Sequence, residues 1–313
     1  MKKNIFVMIS IALILLLLAA CNTVKPTPAP TPTAVVMPAT GVEYHFVTNK
    51  LQIPTTQEQA QAFALNVDGD PQEKPDNMFG GLFTLLTSAV PGIEMQSTLD
   101  QAVTSGQLVS LHEVKADDPL NDPSVSWAIF QGQKTSSPPA FDGSDEFTLD
   151  PAATINLPIV GSLTNGHFTG GPGTAHIQMF FMGQLVDVNL VGVNLEADVT
   201  AQGCVNGKLG GGVTDEEFRG KLLPAIAGGL NLLITTNEAG ASTLLQTFDS
   251  DKSGTITVQE IESNPLLMLM ISPDLDLLDA SGEFNPNQDG VKDSYSLGLG
   301  LTCVPAIFTV SGN

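Results

Sequence analysis

Leu185-Val186-Asp187-Val188-Asn189-Leu190-Val191-Gly192-Val193-Asn194-Leu195-Glu196-Ala197-Asp198-Val199-Thr200 is a long run in which apolar and polar residues alternate. Alternation of period two puts successive side chains on opposite faces of a strand, one toward a core and the other toward water. Leu185, Asp187, Asn189 and Val191 share a face yet change character along it, so the run reads as two strands meeting near Gly192.

The same character extends outward. Between Phe147 and Val213, runs of Thr, Val, Ile and Phe are broken by Asn165-Gly166, Gly170-Gly171-Pro172-Gly173, Met182-Gly183 and Asn206-Gly207. Glycine and asparagine accept the positive φ of tight turns, which predicts a β meander. Thr214-Asp215-Glu216-Glu217 has the capping-box pattern, with Thr214 accepting from the helix start and Glu217 reaching back. A helix follows to about Leu233, kinked or split by Pro224 and Gly228-Gly229. Upstream, Tyr44 to Ile53 predicts a strand, Thr56 to Leu65 a short helix, and Met78 to Ala89 and Leu99 to Gly106 further helices. Leu108 to Val114 and Ser124 to Gln131, the latter with the only tryptophan, Trp127, predict two more strands. Strands and helices in separate regions mean α+β: an antiparallel β-rich meander with segregated helices.

At the N-terminus, Lys2 and Lys3 precede an apolar run from Ile5 to Leu18, the pattern of an export signal. Ile5 to Ala20 is shorter than the roughly 20 residues that cross a bilayer core with ease. Leu18-Ala19-Ala20-Cys21 resembles the lipobox of bacterial lipoproteins. The resemblance implies cleavage before Cys21, a diacylglycerol on its thiol and a surface-tethered mature chain, durably held because two or more acyl chains anchor where one is marginal. Asn22 stands where an aspartate would alter sorting, so the expected location is the cell envelope, at the outer membrane if the host has one. The proline- and threonine-rich stretch from Asn22 to Pro38 is a spacer, about 50 Å long if extended as polyproline II. The expected division is a signal peptide at 1–20, a tether at 21–42, an α+β domain at 43–236 and a calcium loop with C-terminal strands at 237–313 packed on that same domain.

The chain has 12 Lys+Arg against 33 Asp+Glu, and losing Lys2 and Lys3 leaves 10 against 33, a formal charge of -23. Such a chain lacks the basic footprint that a phosphate backbone demands, so no nucleic-acid partner is expected. Anionic headgroups are repelled too, which leaves the lipid as the membrane contact and cations as the natural small partners. With Cys21 used by lipid, Cys204 and Cys303 form an even pair in an oxidising compartment and are expected to be bridged, two buried free thiols being the alternative. The loop they would close is worth on the order of 4 to 5 kcal/mol in the chain-entropy picture.

Phe248-Asp249-Ser250-Asp251-Lys252-Ser253-Gly254-Thr255-Ile256-Thr257-Val258-Gln259-Glu260 resembles the EF-hand calcium loop. The resemblance implies side-chain oxygens from Asp249, Asp251 and Ser253, the backbone carbonyl of Thr255, Thr257 working through water, and Glu260 closing the shell bidentately around Ca²⁺. Leu244, Leu245 and Phe248 fit an entering helix and Val258 and Ile261 an exiting one, which predicts a C-terminal EF-hand-like helix-loop-helix. Pro265 shortens the exiting helix, and Ile256 sits where such loops usually pair with a partner loop. A weaker second site is read in Phe284 to Asp293, where Asn285, Asn287, Asp289 and Asp293 offer oxygens and Gly290 the bend. Ser296 stands where the closing glutamate belongs, so this is a calcium-capable loop entering a strand or a plain Asn/Asp turn. Asp68-Gly69-Asp70 with Asp76-Asn77 offers a third acidic loop, weaker still, in which Pro71 and Pro75 favour the reading of a solvated turn.

None of His45, His112, His167 and His176 has the spacing of a catalytic zinc motif, though His167 and His176 could face each other across the glycine-rich turn. No nucleophile elbow or phosphate loop is present, and Gly210-Gly211-Gly212 precedes three acidic residues that would repel an anion. The sequence therefore points to a calcium-binding, lipid-anchored envelope protein with a structural or binding role and a protein or glycan partner it does not name. A hydrolase with calcium as a structural ion, or a carrier of an apolar ligand behind Ile177 to Phe181 and Leu185 to Val193, are the alternatives.

Overall fold

The alternating segments do form strands, and eight of them pair in chain order until the last meets the first. The computed structural model describes residues 41–70, 75–89, 94–153, 157–181, 183–236, 238–265, 268, 271–286 and 289–310. The expected signal peptide, Cys21 and the tether up to residue 40 lie outside the described residues. The strands are β1 (Val42–Gln52), β2 (Ser110–Ala116), β3 (Asn121–Gln131), β4 (Ile159–Thr164), β5 (His167–Phe181), β6 (Gln184–Thr200), β7 (Gly203–Thr214) and β8 (Ser294–Pro305). Every pair is antiparallel, and β8 hydrogen-bonds β1 from Phe46 opposite Pro305 to Gln52 opposite Gly300, so the sheet closes into a barrel.

This corrects the expected fold class. The molecule is a closed antiparallel barrel, not an α+β meander with segregated helices, and among the described residues the chain ends on the strand β8 and not on a C-terminal EF-hand helix-loop-helix. The physical reason is closure: an open meander leaves two edges of unpaired N–H and C=O groups, and pairing β8 with β1 removes both.

The helices are insertions between strands. Three of them, α1 (Gln57–Ala62), α2 (Met78–Ala89) and α3 (Met95–Thr104), connect β1 to β2. Between β7 and β8 come α4 (Asp215–Glu217), a π-helical stretch (Phe218–Leu222), α5 (Leu223–Thr236), α6 (Glu238–Phe248) and α7 (Val258–Ser263). They cover one end of the barrel. The α3 helix touches both β1 and β5, α2 packs on β8, and α5 packs on β5 and β6. Gln96 of α3 fixes this cap to the end of β1, accepting from Ile53 N–H at 3.0 Å and donating to Leu51 O at 2.9 Å. Phe79, Phe218 and Tyr295 meet ring to ring, joining cap and barrel in one core.

The β6 run is a single strand. Val186, Val188 and Leu190 point inward before Gly192, and Val193, Leu195, Ala197 and Val199 point inward after it. One extra residue at Gly192 inverts the parity, with the register shifting on both neighbouring strands. Gly192 has φ +63°, and a Cβ there would lie 3.0 Å from the Phe284 ring, so glycine suits the bulge on both counts. On β5 the stretch Gly170 to Gly173, expected as a turn, is a matching irregularity within one strand. Paired bulges bend two neighbouring strands together, as a small barrel requires.

The barrel interior is apolar and filled. Trp127 packs against Phe168 with ring centroids 5.1 Å apart. Trp127 Nε1 donates to His112 Nδ1 at 3.1 Å, and indole can only donate, so the ring proton of His112 is on Nε2, directed at Thr48 Oγ1 2.7 Å away. Complete burial pushes His112 down to about 4, so it is neutral at pH 7. Along β5 and β6 the outer face carries Thr169, Thr174, His176, Asp187, Asn189, Glu196 and Asp198. That is the reverse of a transmembrane barrel, whose apolar residues face outward. Among the described residues no helix is long and apolar enough to cross a membrane.

Candidate metal centre

The loop Asp249 to Glu260 sits inside the cap, between α6 and the two-turn α7. Its apolar residues hold it there, since Phe248, Ile256 and Ile261 are buried in the same core that fills the barrel. Gly254 turns at φ +85° and Lys252 at φ +60°, which reverses the chain and leaves the intervening side chains converging. Asp249 accepts from the N–H of Ser253 at 2.9 Å and of Gly254 at 2.8 Å, and Asp251 accepts from Ser253 N–H at 2.9 Å. Ser253 Oγ lies 3.1 Å from both the carbonyl and the hydroxyl of Thr255.

Glu260 locks the loop. One carboxylate oxygen accepts from Thr257 N–H and Thr257 Oγ1, each at 2.9 Å, while Thr257 Oγ1 accepts from Glu260 N–H, a complete capping box for α7. The other oxygen accepts from Ser250 N–H at 2.7 Å and Asp251 N–H at 3.2 Å. The Thr257 N–H, then the Thr257 hydroxyl and the N–H groups of Asp251 and Ser250, hold the Glu260 carboxyl down to about 2 although its burial opposes this. An ionised Glu260 thus ties both ends of the loop together. Asp249, Asp251 and Glu260 each offer an oxygen within 4.8 Å of the others, a geometry that a single cation can bridge.

Among the described residues no second loop braces Ile256. Asn231 of α5 does so instead, accepting from Ile256 N–H at 2.7 Å and donating to Ile256 O at 2.7 Å. One side-chain amide thereby reproduces the two-bond bridge that a partner loop supplies in paired sites. The sequence reading missed Asn231, because a lone asparagine in an apolar helix carries no signature.

The weaker site is not assembled in the same way. Asp293 gives its two oxygens to Leu277 N–H at 3.3 Å and Leu278 N–H at 2.9 Å, and Asp289 accepts from Val291 N–H at 2.9 Å. Asn285 is held by its backbone, donating to Leu277 O at 2.8 Å, and Asn287 lies outside the described residues. Cys204 and Cys303 stand opposite each other on β7 and β8 at disulfide distance, with Cα atoms 4.8 Å apart. His167 and His176 do not face each other, for both lie on β5 and each meets β6, His167 at Asp198 (2.7 Å) and His176 at Asn189 (2.6 Å). Glu217 does not reach back to Thr214. It accepts from Asn189 N–H and Nδ2 and pairs with Lys221, although Thr214 does accept from Glu217 N–H as expected. The chain matches no protein-family model, no curated protein and no solved structure.

Proposed function

We propose that this is a calcium-binding, lipid-anchored envelope protein with a structural or binding role, in which calcium ties together the two ends of the Asp249–Glu260 loop and so holds α6 and α7 within the helical cap. The observation that carries the reading is the convergence of Asp249, Asp251 and Glu260 in a loop whose sequence suits calcium at each ligand position. Calcium is a hard cation that takes oxygen ligands, and this loop offers carboxylates, hydroxyls and a carbonyl but no imidazole or thiolate. With three carboxylates around the ion, the expected dissociation constant is on the order of 10⁻⁴ to 10⁻³ M, the range of extracellular modules. Export and lipid attachment rest on residues 1–21, and a Cys204–Cys303 bridge fits the oxidising compartment they imply.

Two observations favour this role over the alternatives. The cavity bordered by Thr48, His112, Ile129 and Leu299 is about 30 Å³, enough for about a water but far below the roughly 300 Å³ of a ligand pocket, so an apolar cargo finds no room there. Asp274 has a carboxyl raised by burial, as catalytic acids often do, yet it accepts from the side chain and N–H of Ser296, whose Oγ in turn accepts from Met78 N–H at 2.6 Å. Those bonds fasten α2 to β8. Calorimetric titration of the full chain with calcium is expected to show binding in the stated range that Glu260→Gln removes. No binding at 10 mM calcium, about ten times the weakest expected constant, would sink the proposal.

A further inference from the structure

A second cluster lies on the outer face of the barrel, far from any motif. The β1–β2 register places His45 opposite Glu113 and Glu43 opposite Lys115. Residues two apart on a strand share a face, so all four side chains gather on one side. His45 Nε2 is 2.8 Å from Glu43 Oε1 and 3.6 Å from Glu113 Oε2. One ligand atom from each of Glu43, His45 and Glu113 lies within 4.8 Å of the others.

Glu113 makes the cluster more than a surface ion pair. It is 7% exposed, under a satellite core in which Val47, Leu111, Phe130 and Phe308 pack on the outside of the sheet. Its Oε1 is taken by Lys115 Nζ at 2.8 Å, but its Oε2, the oxygen turned toward His45, is buried and accepts no hydrogen bond. An orphaned carboxylate oxygen is costly to bury, and a ligand that it faces relieves the cost.

We propose that Glu43, His45 and Glu113 form a binding site for a divalent first-row transition ion of the zinc class, separate from the calcium loop. The donor set is one imidazole nitrogen and two carboxylates, and imidazole selects zinc and its neighbours over calcium and magnesium. Zinc holds such ligands at about 2.0 to 2.2 Å, which in a tetrahedron sets them about 3.4 Å apart. The observed 2.8 and 3.6 Å straddle that separation, so small side-chain shifts admit the ion. Two of the three donors are already steadied: the His45 ring stacks on Phe308 at 4.4 Å, and Lys115 pins the far oxygen of Glu113. Glu43 is exposed and closes over the ion from the solvent side. Water fills the fourth corner.

The test uses cobalt(II), then zinc, added to the full chain in detergent. Cobalt is expected to give the intense visible absorption of a four- or five-coordinate ion, saturating at one equivalent and bleached by zinc but not by millimolar calcium. His45→Gln and Glu43→Gln are each expected to weaken binding at least about tenfold, as loss of a ligand should exceed the effect of losing its outer support. Glu43 is exposed, so its variant folds even if a change at Glu113 does not. Glu260→Gln should bind cobalt like the parent, which keeps this test independent of the calcium loop. The proposal falls if the parent shows only the pale spectrum of hydrated cobalt, or if either Glu43→Gln or His45→Gln binds as tightly as the parent.

Discussion

The two acidic loops of the β7–β8 connection begin alike and end differently. Asp249 to Glu260 and Asn285 to Asp293 both follow a phenylalanine and both space oxygen-bearing residues around a glycine. In the first, Asp249, Asp251 and Glu260 converge, and the backbone N–H groups they accept belong to the loop itself. In the second, Asp293 reaches out of its loop to Leu277 and Leu278 and holds that segment against the barrel. The carboxylates of the first loop are held by donors of that same loop and so stay converged, whereas Asp293 is held by a neighbouring segment and is drawn away from its own loop. Helix capping decides the first case, since Thr257 turns Glu260 back into the loop, whereas Asp293 leads straight into β8.

Four experiments test that contrast, in decreasing order of effect. Asp293→Ala removes the acceptor for Leu277 N–H, Leu278 N–H and the Ser294 hydroxyl, and is expected to cost about 4 kcal/mol in urea unfolding while the calcium response persists. Loss of the calcium response in this variant, with the fold intact, would make the second loop a metal site after all.

Acid separates both loops from the barrel core. His112 has its folded value pushed down to about 4 from an ordinary 6.5, so its contribution is complete above pH 6.5 and fades as pH falls toward 4. The loss is on the order of 3 kcal/mol, and His112→Gln should flatten this limb of the stability curve. Glu260 follows at lower pH. Its value is also depressed, so its support is full above about 4.5 and is lost as pH falls through about 2. Reversal of that order would contradict the assigned protonation states.

Asn231→Ala deletes both bonds to Ile256 and is expected to cost about 2 kcal/mol and to weaken calcium binding, because the loop loses the two hydrogen bonds that fix its middle to α5. An unchanged calcium affinity would show that the ligands are positioned without α5.

Much of this was legible beforehand, and what was not has physical causes. The strands near Tyr44 to Ile53, Leu108 to Val114 and Ser124 to Gln131 announced themselves by alternation, and the helix from Met78 to Ala89 by its spacing. Gly192 was misread as a break because a bulge inverts parity without ending a strand. Pro224 was read as a kink or split in a helix that runs on as α5. Proline lacks an N–H, and the ladder loosens instead into the π-helical stretch just before it, where Leu223 N–H reaches Phe218 O. Barrel closure left no local trace, since β1 and β8 stand at opposite ends of the described chain. Glu43, His45 and Glu113 were invisible for the same reason: register, not spacing, brings them together.

Stabilisation of the fold by calcium at Asp249 to Glu260 is tested most directly by thermal melting with and without calcium in the parent and in Glu260→Gln. At ten times the dissociation constant, linkage adds RT ln 11, about 1.4 kcal/mol, which raises the melting temperature of a domain this size by roughly 3 °C. Glu260→Gln keeps the side chain's shape but removes the charge that calcium needs, so its melting temperature is expected to stay put. An equal rise in both proteins would place the stabilising ion elsewhere.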